Sequence, residues 1–383
     1  MKRILFIINS TDMTYGASKS LGILLKNLKI EYDIIYPNSI FFKAPEQKIR
    51  QYAGEYLRNI YSFFLPSERC SIGFEKVHGI KKIAVFLREK LWYLDKYKIK
   101  RLIKKNNYDI VHLNCNNLSP LIDNKANYII HIREIADKEN KHFSKFQHQL
   151  EKAMGVIFID KTVRNYISAN MKNEKIIMNP VDMCGLNKVS VNNALIQLNL
   201  DQVIKPEDTV FSIIGSLLEM KGVHRVIKAF NENDLAHCKL LIVGGGNSEY
   251  SEKCRTEAKK NPNIILYGEM ENAALVYRIS DFIIRGEPFF ALGRTAYEGL
   301  YSGCGIIIPG SEKENGEDLF DYLNFKDRVF WYSPGNEKKL GEKIQELSGK
   351  KIRDKKFIGN SKEYVEQFCE FAEEVIKGRK NEN

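Results

Sequence analysis

The chain has 383 residues, which is enough for two domains because one domain usually takes about 100 to 200 residues. Its 44% hydrophobic and 28% charged residues are typical of a globular protein and exclude a disordered or fibrous chain. The formal net charge of +11 favours polyanionic partners, namely nucleic acid, anionic lipid or phosphorylated ligands, without choosing among them.

The N-terminus resembles a signal peptide at first sight. Its apolar run, residues 4–8, is too short for one and is followed by polar residues instead of a cleavage site. The sequence has no run near the ~20 apolar residues that span a membrane. Its seven cysteines lie apart, with neither a Cys-x-x-Cys pair nor histidines at zinc spacing, which is typical of free thiols in a reducing compartment. We therefore expect a cytoplasmic protein without a transmembrane anchor or a metal site.

The first half of the chain alternates short apolar runs with helical patterns. Uninterrupted apolar runs are typical of strands in a parallel sheet that helices cover on both faces. The strands predicted in this half are residues 4–8, 32–36, 109–113, 128–132, 155–159 and 175–178.

Residues 41–105 interrupt this alternation with a long basic and aromatic insertion. Residues 81–105 contain ten lysines or arginines, mixed with Phe86, Trp92 and Tyr97. This composition favours amphipathic helices that lie on an anionic membrane or along an acidic acceptor. Solvated helix faces above an ordinary apolar stripe would give the same composition, so both interpretations stay open.

The second half repeats the alternation, and the simplest architecture is α/β with two Rossmann-like, doubly wound domains in tandem. We expect an N-terminal domain at 1–184, a polar and weakly patterned linker at 185–207, a second domain at 208–360, and a C-terminal helix and tail at 361–383. The strands predicted in the second half are residues 210–214, 240–243, 264–267, 282–284, 306–308 and 329–331.

A loop after the first strand ends in Gly16, Ala17 and Ser18, and a helical pattern follows it. Gly16 allows the backbone to approach a ligand closely, and Ser18 can cap the helix, whose free N–H groups favour an anion. The pattern predicts a binding site for a diphosphate. A strand, a glycine and a helix also occur together at any tight turn.

The corresponding loop of the second domain holds Gly215 and Ser216 and ends in Lys221. A lysine at this end of a parallel strand projects into the crevice where open α/β sheets bind ligands, and it can neutralise a leaving diphosphate. A surface lysine before the glycine that starts a helix is the structural alternative.

A third loop leads into a helix that starts with Gly293, Arg294 and Thr295. Backbone amides at a helix start can hold a diphosphate, and Glu298, one turn inside the helix, can accept both ribose hydroxyls. The pattern predicts a nucleotide-diphosphate site that requires no metal.

Together these stretches resemble family-4 glycosyltransferases, which have the GT-B fold of two Rossmann-like domains facing each other across a cleft. The family's Lys-Gly segment corresponds to Lys221-Gly222, and its Glu-Pro-Phe-Gly and Glu-Ala segments resemble the stretches that begin at Glu287 and Glu298. Two departures stand out. Ser216 replaces the arginine that commonly pairs with the lysine, and the gap between the two glutamates is three residues longer than the family's.

In the first domain, Gly16 and Ala17 stand where the family often has two glycines. Residues 109–114 resemble the family's Asp-Val-Val-His-x-His stretch, with His112 kept and Asn114 in place of the second histidine. Arg133 follows a strand where the family usually has a histidine, so the resemblance implies that it faces the sugar and phosphate of the donor.

The resemblance implies a retaining glycosyltransferase that moves a sugar from a nucleotide-diphosphate sugar to a glycan or lipid-linked acceptor. The second domain would bind the donor and the first would bind the acceptor, for instance a polyprenyl-diphosphate-linked glycan in surface polysaccharide biosynthesis at the inner face of a membrane. We expect no cofactor besides the donor and, without a recognised nucleic-acid-binding module, no nucleic-acid partner. The implied catalytic residues are Lys221, Arg133, Glu287 and His112, and the implied donor-binding residues are Gly16, Ala17, Ser18, Gly215, Ser216, Gly293, Arg294, Thr295 and Glu298.

Two other functions fit the same residues. A nucleotide-sugar 2-epimerase would share the nucleotide contacts and convert the sugar without an acceptor. A non-catalytic protein that binds nucleotide sugars would explain Ser216, Asn114 and the displaced Glu287 as signs of a degenerate site. The sequence does not specify the donor base, the sugar, the acceptor or the oligomeric state.

Overall fold

The computed structural model describes residues 1–10, 16–38, 46–66, 80–233, 235, 237–270, 272–319, 322–352 and 355–382, with the backbone alone for 80–85 and 380–382. Residues 11–15 of the first predicted binding loop, and 41–45 and 67–79 of the insertion, lie outside the described residues. The chain forms two compact units, one made of Met1–Pro180 with Ser361–Asn383 and the other of Val181–Asn360.

The first unit is built on a parallel sheet of seven strands in the order β3-β2-β1-β4-β5-β6-β7. The strand order reverses beside β1, which makes the ends of β1 and β4 a switch point where ligands of such sheets bind. Its strands are β1 (Arg3–Ile7), β2 (Glu31–Pro37), β3 (Leu57–Phe63), β4 (Ile110–Leu113), β5 (Tyr128–Ile132), β6 (Gly155–Phe158) and β7 (Glu174–Ile176).

Helices cover both faces of this sheet, which explains why its central strands are apolar throughout. One face packs Leu5 and Val111 with Trp92 and Ile99, and the other packs Phe6 with Phe368. The helices are α1 (Gly16–Asn27), α2 (Glu46–Tyr52), α3 (Ile80–Asn106), α4 (Phe143–Lys152), α5 (Lys161–Asn165) and, from the end of the chain, α14 (Ser361–Glu382).

The insertion at 41–105 contains a strand as well as helices. Its described part holds α2, β3 and α3, and β3 is the edge strand beside β2. The periodicity did not predict β3, because an edge strand is covered on fewer sides and its sequence, LRNIYSF, keeps polar residues.

The second unit is built on a parallel sheet of six strands in the order β10-β9-β8-β11-β12-β13. Its core is formed by apolar side chains from the sheet, among them Phe211 and Phe282, and from the helices packed on it. Its strands are β8 (Thr209–Ile214), β9 (Cys238–Val243), β10 (Ile264–Gly268), β11 (Phe282–Ile284), β12 (Gly305–Pro309) and β13 (Val329–Tyr332).

The helices of the second unit are α6 (Val191–Gln197), α7 (Val223–Asn231), α8 (Glu249–Ala258), α9 (Ala274–Ile279), α10 (Gly293–Tyr301), α11 (Glu312–Asn315), α12 (Tyr322–Phe325) and α13 (Glu337–Leu347). Residues 185–207, expected as a linker, contain α6 and belong to this unit. Ser190 caps α6 by accepting a hydrogen bond from the Asn193 amide, and Ala194 is buried. A short helix with so few buried residues gives little hydrophobic pattern. None of the helices described here is long and apolar enough to cross a membrane.

Candidate active site

The predicted donor-binding residues of the second unit lie after two neighbouring strands. β8 pairs with β11, with Phe211 opposite Phe282, so the loops that follow these strands start side by side. The loop after β8 carries Gly215, Ser216 and Lys221, and the loop after β11 leads through Glu287 to α10. The strand order reverses at this pair, and open α/β sheets bind their ligands at such a point.

The two loops touch through the backbones of Gly222 and Gly286. Gly222 has a φ of +63°, and a Cβ atom added to it would lie 1.7 Å from the Gly286 carbonyl oxygen. A Cβ atom on Gly286 would lie 2.7 Å from the Gly222 carbonyl oxygen. No larger residue fits this contact without a backbone shift. The close approach places Lys221 and Glu287, the neighbours of these glycines in the chain, next to each other.

Two cations share one oxygen of Glu287. The Lys221 Nζ atom lies 3.2 Å from Glu287 Oε1, and the Arg285 Nη2 atom lies 2.6 Å from the same oxygen. The Glu287 side chain is buried, and its other oxygen, Oε2, has no hydrogen-bond partner among the described residues. Burial and, next, the charge of Arg285 lower the pKa of Lys221, whose side chain remains one-third (33%) exposed. The cluster therefore carries a net positive charge beside a pocket that Gly215 and Ser216 also line.

Glu298 of α10 is held by a tyrosine and an arginine. The Tyr277 hydroxyl donates a hydrogen bond to Glu298 Oε2 over 2.7 Å, and the Arg294 Nε atom lies 2.6 Å from Oε1. Burial, followed by the charge of Glu298, raises the pKa of Tyr277, so this hydroxyl stays protonated and acts as a donor. The carboxylate is therefore fixed in orientation.

The start of α10 has the properties of an anion site. Gly293 has a φ of +58° and Leu292, which precedes it, makes no capping side-chain hydrogen bond. The backbone amides of the first turn, which include those of Gly293, Arg294 and Thr295, therefore carry the partial positive charge of a helix start. Such a helix start favours a phosphate group.

In the first unit, Arg133 is buried among neutral partners. It follows β5, and its Nε atom donates to Asn114 Oδ1 over 3.2 Å while Nη1 donates to Asn179 Oδ1 over 2.6 Å. Its Nη2 atom donates to the Tyr364 hydroxyl of α14 and lies 3.1 Å from His131 Nδ1. No described residue forms an ion pair with Arg133, so its positive charge is not neutralised by a carboxylate of this part of the chain.

The same network reaches the first turn of α1. Asn114 Nδ2 donates to the Ala17 carbonyl over 3.3 Å. The Ser20 hydroxyl lies 3.0 Å from Asn179 Oδ1 and 2.9 Å from the Gly16 carbonyl oxygen, and these two acceptors share its one hydrogen. The prediction that Ser18 caps this helix is wrong, because α1 begins at Gly16 and places Ser18 buried inside the first turn. Arg133 and the start of α1 are thus joined through two asparagines.

His112 does not reach a surface of the first unit. Its ring is fully buried on β4 and packs against Phe6, His131 and Phe368. Neither ring nitrogen has a hydrogen-bond partner in the described part of the chain. Burial and the charge of Arg133 lower the pKa of His112 to about 3, so the ring is neutral. This geometry contradicts the expected catalytic role, and His112 is a core residue.

Sequence reasoning missed four residues of these sites: Arg285, Tyr277, Asn179 and Tyr364. Arg285 directly follows a strand and precedes Glu287, a position that could have been noticed. The other three gave no local signal. Tyr364, for example, lies 231 positions from Arg133, the arginine that it contacts.

Known proteins resemble the second unit in sequence and the chain in fold. Residues 199–364, which include both loops, match the family model for glycosyl transferases group 1. The match covers almost the whole of the second unit, so this unit is similar to the group 1 glycosyl transferases. A curated relative, the capsular polysaccharide biosynthesis glycosyltransferase CapH of Staphylococcus aureus, is 26% identical to the chain over 252 residues, which are 61% of this chain and 67% of CapH.

Solved structures resemble this chain over almost its whole length. Anabaena HepE in complex with UDP and glucose has a TM-score of 0.64 and 15% identity, covering 99% of this chain and 95% of HepE. A glycosyltransferase from Rickettsia africae also has a TM-score of 0.64, with 16% identity, covering 98% of this chain and 99% of the other. At such identities the similarity shows the fold, which is the expected GT-B fold of two Rossmann-like domains.

Proposed function

We propose that this chain is a retaining, family-4 glycosyltransferase that transfers a sugar from a nucleotide-diphosphate sugar to a glycan or lipid-linked acceptor, without a metal or another cofactor. The observation that carries the proposal is the cationic cluster around Glu287, which lies beside the start of α10 at the switch point of the second sheet. The UDP and glucose of the HepE complex and the capsular polysaccharide role of CapH support it.

The second unit binds the donor in this proposal. The α10 amides of Gly293, Arg294 and Thr295 hold the diphosphate, as a helix start does for anions. Glu298, fixed by Tyr277, accepts the ribose hydroxyls. The unpartnered Glu287 Oε2 accepts a hydroxyl of the sugar, which satisfies an atom that is costly to leave buried and unpaired. The pocket beside it is lined by the loop that carries Gly215 and Ser216.

The chemistry requires stabilisation of a leaving anion. The acceptor oxygen forms a bond to the anomeric carbon on the face from which the nucleotide diphosphate departs, and the acceptor proton passes to an oxygen of that diphosphate. Lys221 and the α10 amides stabilise the negative charge that develops on it. No carboxylate pair is needed as nucleophile and acid, unlike in glycoside hydrolysis. In the first unit, Arg133 is a separate centre of positive charge, and its proposed catalytic role rests on the family resemblance.

Nucleotide binding and product analysis test this proposal. A thermal-shift panel of UDP, GDP, ADP, CMP and their sugar conjugates, with and without EDTA, identifies a ligand that binds the folded chain. We expect a selective shift that EDTA does not remove, and a glycosylated product that keeps the anomeric configuration. A converted sugar without an acceptor would indicate an epimerase. Binding without turnover would indicate a non-catalytic protein.

We further propose that α3 brings the enzyme to an anionic membrane, where a polyprenyl-diphosphate-linked acceptor would be presented on the cytoplasmic side. Of the nine large hydrophobic side chains that are exposed among the described residues, five lie on α3. Phe86, Tyr93, Leu94 and Tyr97 share one face of the helix, with exposures of 59 to 77%. Lysines and arginines continue this face toward the C-terminal end, while the opposite face is buried. Exposed apolar side chains can insert into the surface of a bilayer, and the basic side chains beside them attract its anionic headgroups.

Vesicle flotation tests the membrane proposal. We expect binding to vesicles of phosphatidylglycerol and phosphatidylcholine at low salt, and little binding to phosphatidylcholine alone. Each basic residue near the surface contributes about 1 kcal/mol, so replacing Lys90, Arg101 and Lys104 with glutamine should lower partitioning by about 100-fold. Leu323→Ser is the matched control, because Leu323 is 82% exposed but lies in the second unit. Equal binding of both variants would contradict a role of α3.

A further inference from the structure

We propose that Arg285 is a positioning residue of the donor site, which holds the Glu287 carboxylate and so leaves the charge of Lys221 available to the donor diphosphate. The inference rests on the proposed function. It assigns a role to a residue that the family resemblance did not point to.

Arg285 is anchored to the sheet and turns back over its own loop. Its carbonyl oxygen accepts a hydrogen bond of 2.7 Å from the Tyr332 hydroxyl of β13. Its side chain is buried, and its guanidinium contacts Glu287 Oε1, the Ala291 carbonyl and the Thr295 hydroxyl. One side chain thus connects the start of the loop, its last part and the first turn of α10.

The loop is built around this guanidinium. A Cβ atom on Gly293 would lie 2.8 Å from Arg285 Nη2, so the arginine occupies the space over the residue that starts α10. The loop between Glu287 and Glu298 is three residues longer than in the family that the sequence resembles, and Arg285 contacts this loop at the Ala291 carbonyl. A planar guanidinium can donate in several directions at once, whereas a lysine ammonium at the same place cannot reproduce this fork.

The charges explain why the contact affects catalysis. A buried carboxylate requires a counter-charge, and Arg285, at 2.6 Å, is the nearer and more buried of the two cations on Glu287 Oε1. With Arg285 present, the three groups together carry one net positive charge. Without it, Lys221 would be the one cation on Glu287 among the described residues, and an ammonium neutralised in this way stabilises a leaving diphosphate less well.

Kinetics of single and double variants test the role. Displacement of a catalytic group by about 1 Å can lower turnover by about 100-fold, so we expect Arg285→Ala to lower kcat by that order with a smaller change in the donor KM. Arg285→Lys should recover little, and added guanidinium ion should partly restore Arg285→Ala. In a Glu287→Gln background, Arg285→Ala should add little, because both changes act on one carboxylate. Arg164→Ala, which breaks the distant ion pair with Glu174, is the matched control.

Two outcomes would overturn the inference: a kcat of Arg285→Ala within about twofold of the unaltered chain, or effects of Arg285→Ala and Glu287→Gln that multiply. Absence of turnover in the unaltered chain would instead refute the proposed function. Hydrogen exchange tests the positioning role whether or not the unaltered chain shows turnover. The amides of residues 286–295 should exchange faster in Arg285→Ala than in Glu287→Gln, with melting temperatures used to match folded fractions. Equal exchange in the two variants would also overturn it.

Discussion

Replacing Gly222 with alanine tests the backbone contact that brings the two loops of the proposed donor site together. The left-handed φ of +63° costs an L-residue about 1 to 2 kcal/mol. The added Cβ atom would lie 1.7 Å from the Gly286 carbonyl oxygen, a backbone atom that moves only with its loop, and overpacking of this kind costs about 1 to 3 kcal/mol. We therefore expect Gly222→Ala to lower the free energy of unfolding of the second unit by about 2 to 5 kcal/mol.

Gly349→Ala is the matched control, because Gly349 also has a positive φ, +77°, but has open space where its Cβ atom would stand. It should cost only the backbone part, about 1 to 2 kcal/mol. The chain has two tryptophans, Trp92 in the first unit and Trp331 in the second, so urea unfolding of the second unit can be followed by Trp331 fluorescence in a Trp92→Phe background. The difference between the two alanine variants measures the steric part.

The same substitution should reduce turnover, because a shift of the Gly286 carbonyl displaces Glu287 from Lys221. The folded fraction of each variant, taken from the fluorescence curve, corrects the measured rates. One result would refute the close contact and the placement of the site that rests on it. In that result, Gly222→Ala would unfold no more easily than Gly349→Ala and would keep full turnover.

The remaining predictions concern single side chains. Lys221→Met should lower kcat by about 100-fold or more without a comparable loss of stability, whereas Lys253→Met on the exposed surface of α8 should not; equal rates would exclude Lys221 from the site. Glu298→Gln should weaken nucleoside diphosphate binding by about 10- to 100-fold in calorimetry, since it removes charge-assisted hydrogen bonds to the ribose. Arg133→Met should lower kcat and also destabilise the first unit, because several buried polar partners lose their donor; a loss of stability alone would make Arg133 purely structural. His112, with a folded pKa of about 3 against about 6.5 unfolded, binds a proton only on unfolding, so it should lower stability as the pH drops from 6.5, by about 2 kcal/mol at pH 5. His131, whose pKa is also lowered by burial, adds to this fall, so His112→Leu should lose only its own share of the pH dependence and keep its activity at pH 7.5.

Most of the fold could be predicted because its strands are short, buried apolar runs. The predicted strand at 4–8 is β1 (Arg3–Ile7), and the predicted strand at 282–284 coincides with β11. In a doubly wound fold, helices cover both faces of the sheet, so the pattern of uninterrupted apolar runs is strong. The strand β3 lacks this pattern because it lies at the edge. The segment expected as a linker lacks the apolar pattern for another reason, because its helix α6 buries few side chains.

The clustering of the candidate donor residues could be predicted in part because they follow the ends of neighbouring strands. Lys221 and Glu287 are 66 positions apart, and they meet because β8 and β11 pair in parallel. The partners of Arg133 could not be predicted in this way. Asn179 lies 46 positions from it and belongs to no predicted motif. Such contacts depend on packing and leave no periodic trace in the sequence.

The cations of the two candidate sites, Lys221 in the second unit and Arg133 in the first, have different surroundings. Lys221 shares a buried carboxylate with Arg285, and burial and Arg285 lower its pKa, so its charge depends on the surrounding groups. Arg133 is surrounded by amides, a hydroxyl and a neutral histidine, and a guanidinium stays protonated without an acid beside it. An arginine in the position where the resembled family usually has a histidine therefore provides a charge that does not change with pH. Because the His131 pKa is held well below its usual range by burial and by Arg133, the neighbouring ring adds no charge of its own. Among Arg133 and its four partners, Arg133 is consequently the group that carries the positive charge, so titration of this network should not cause a loss of activity on acidification.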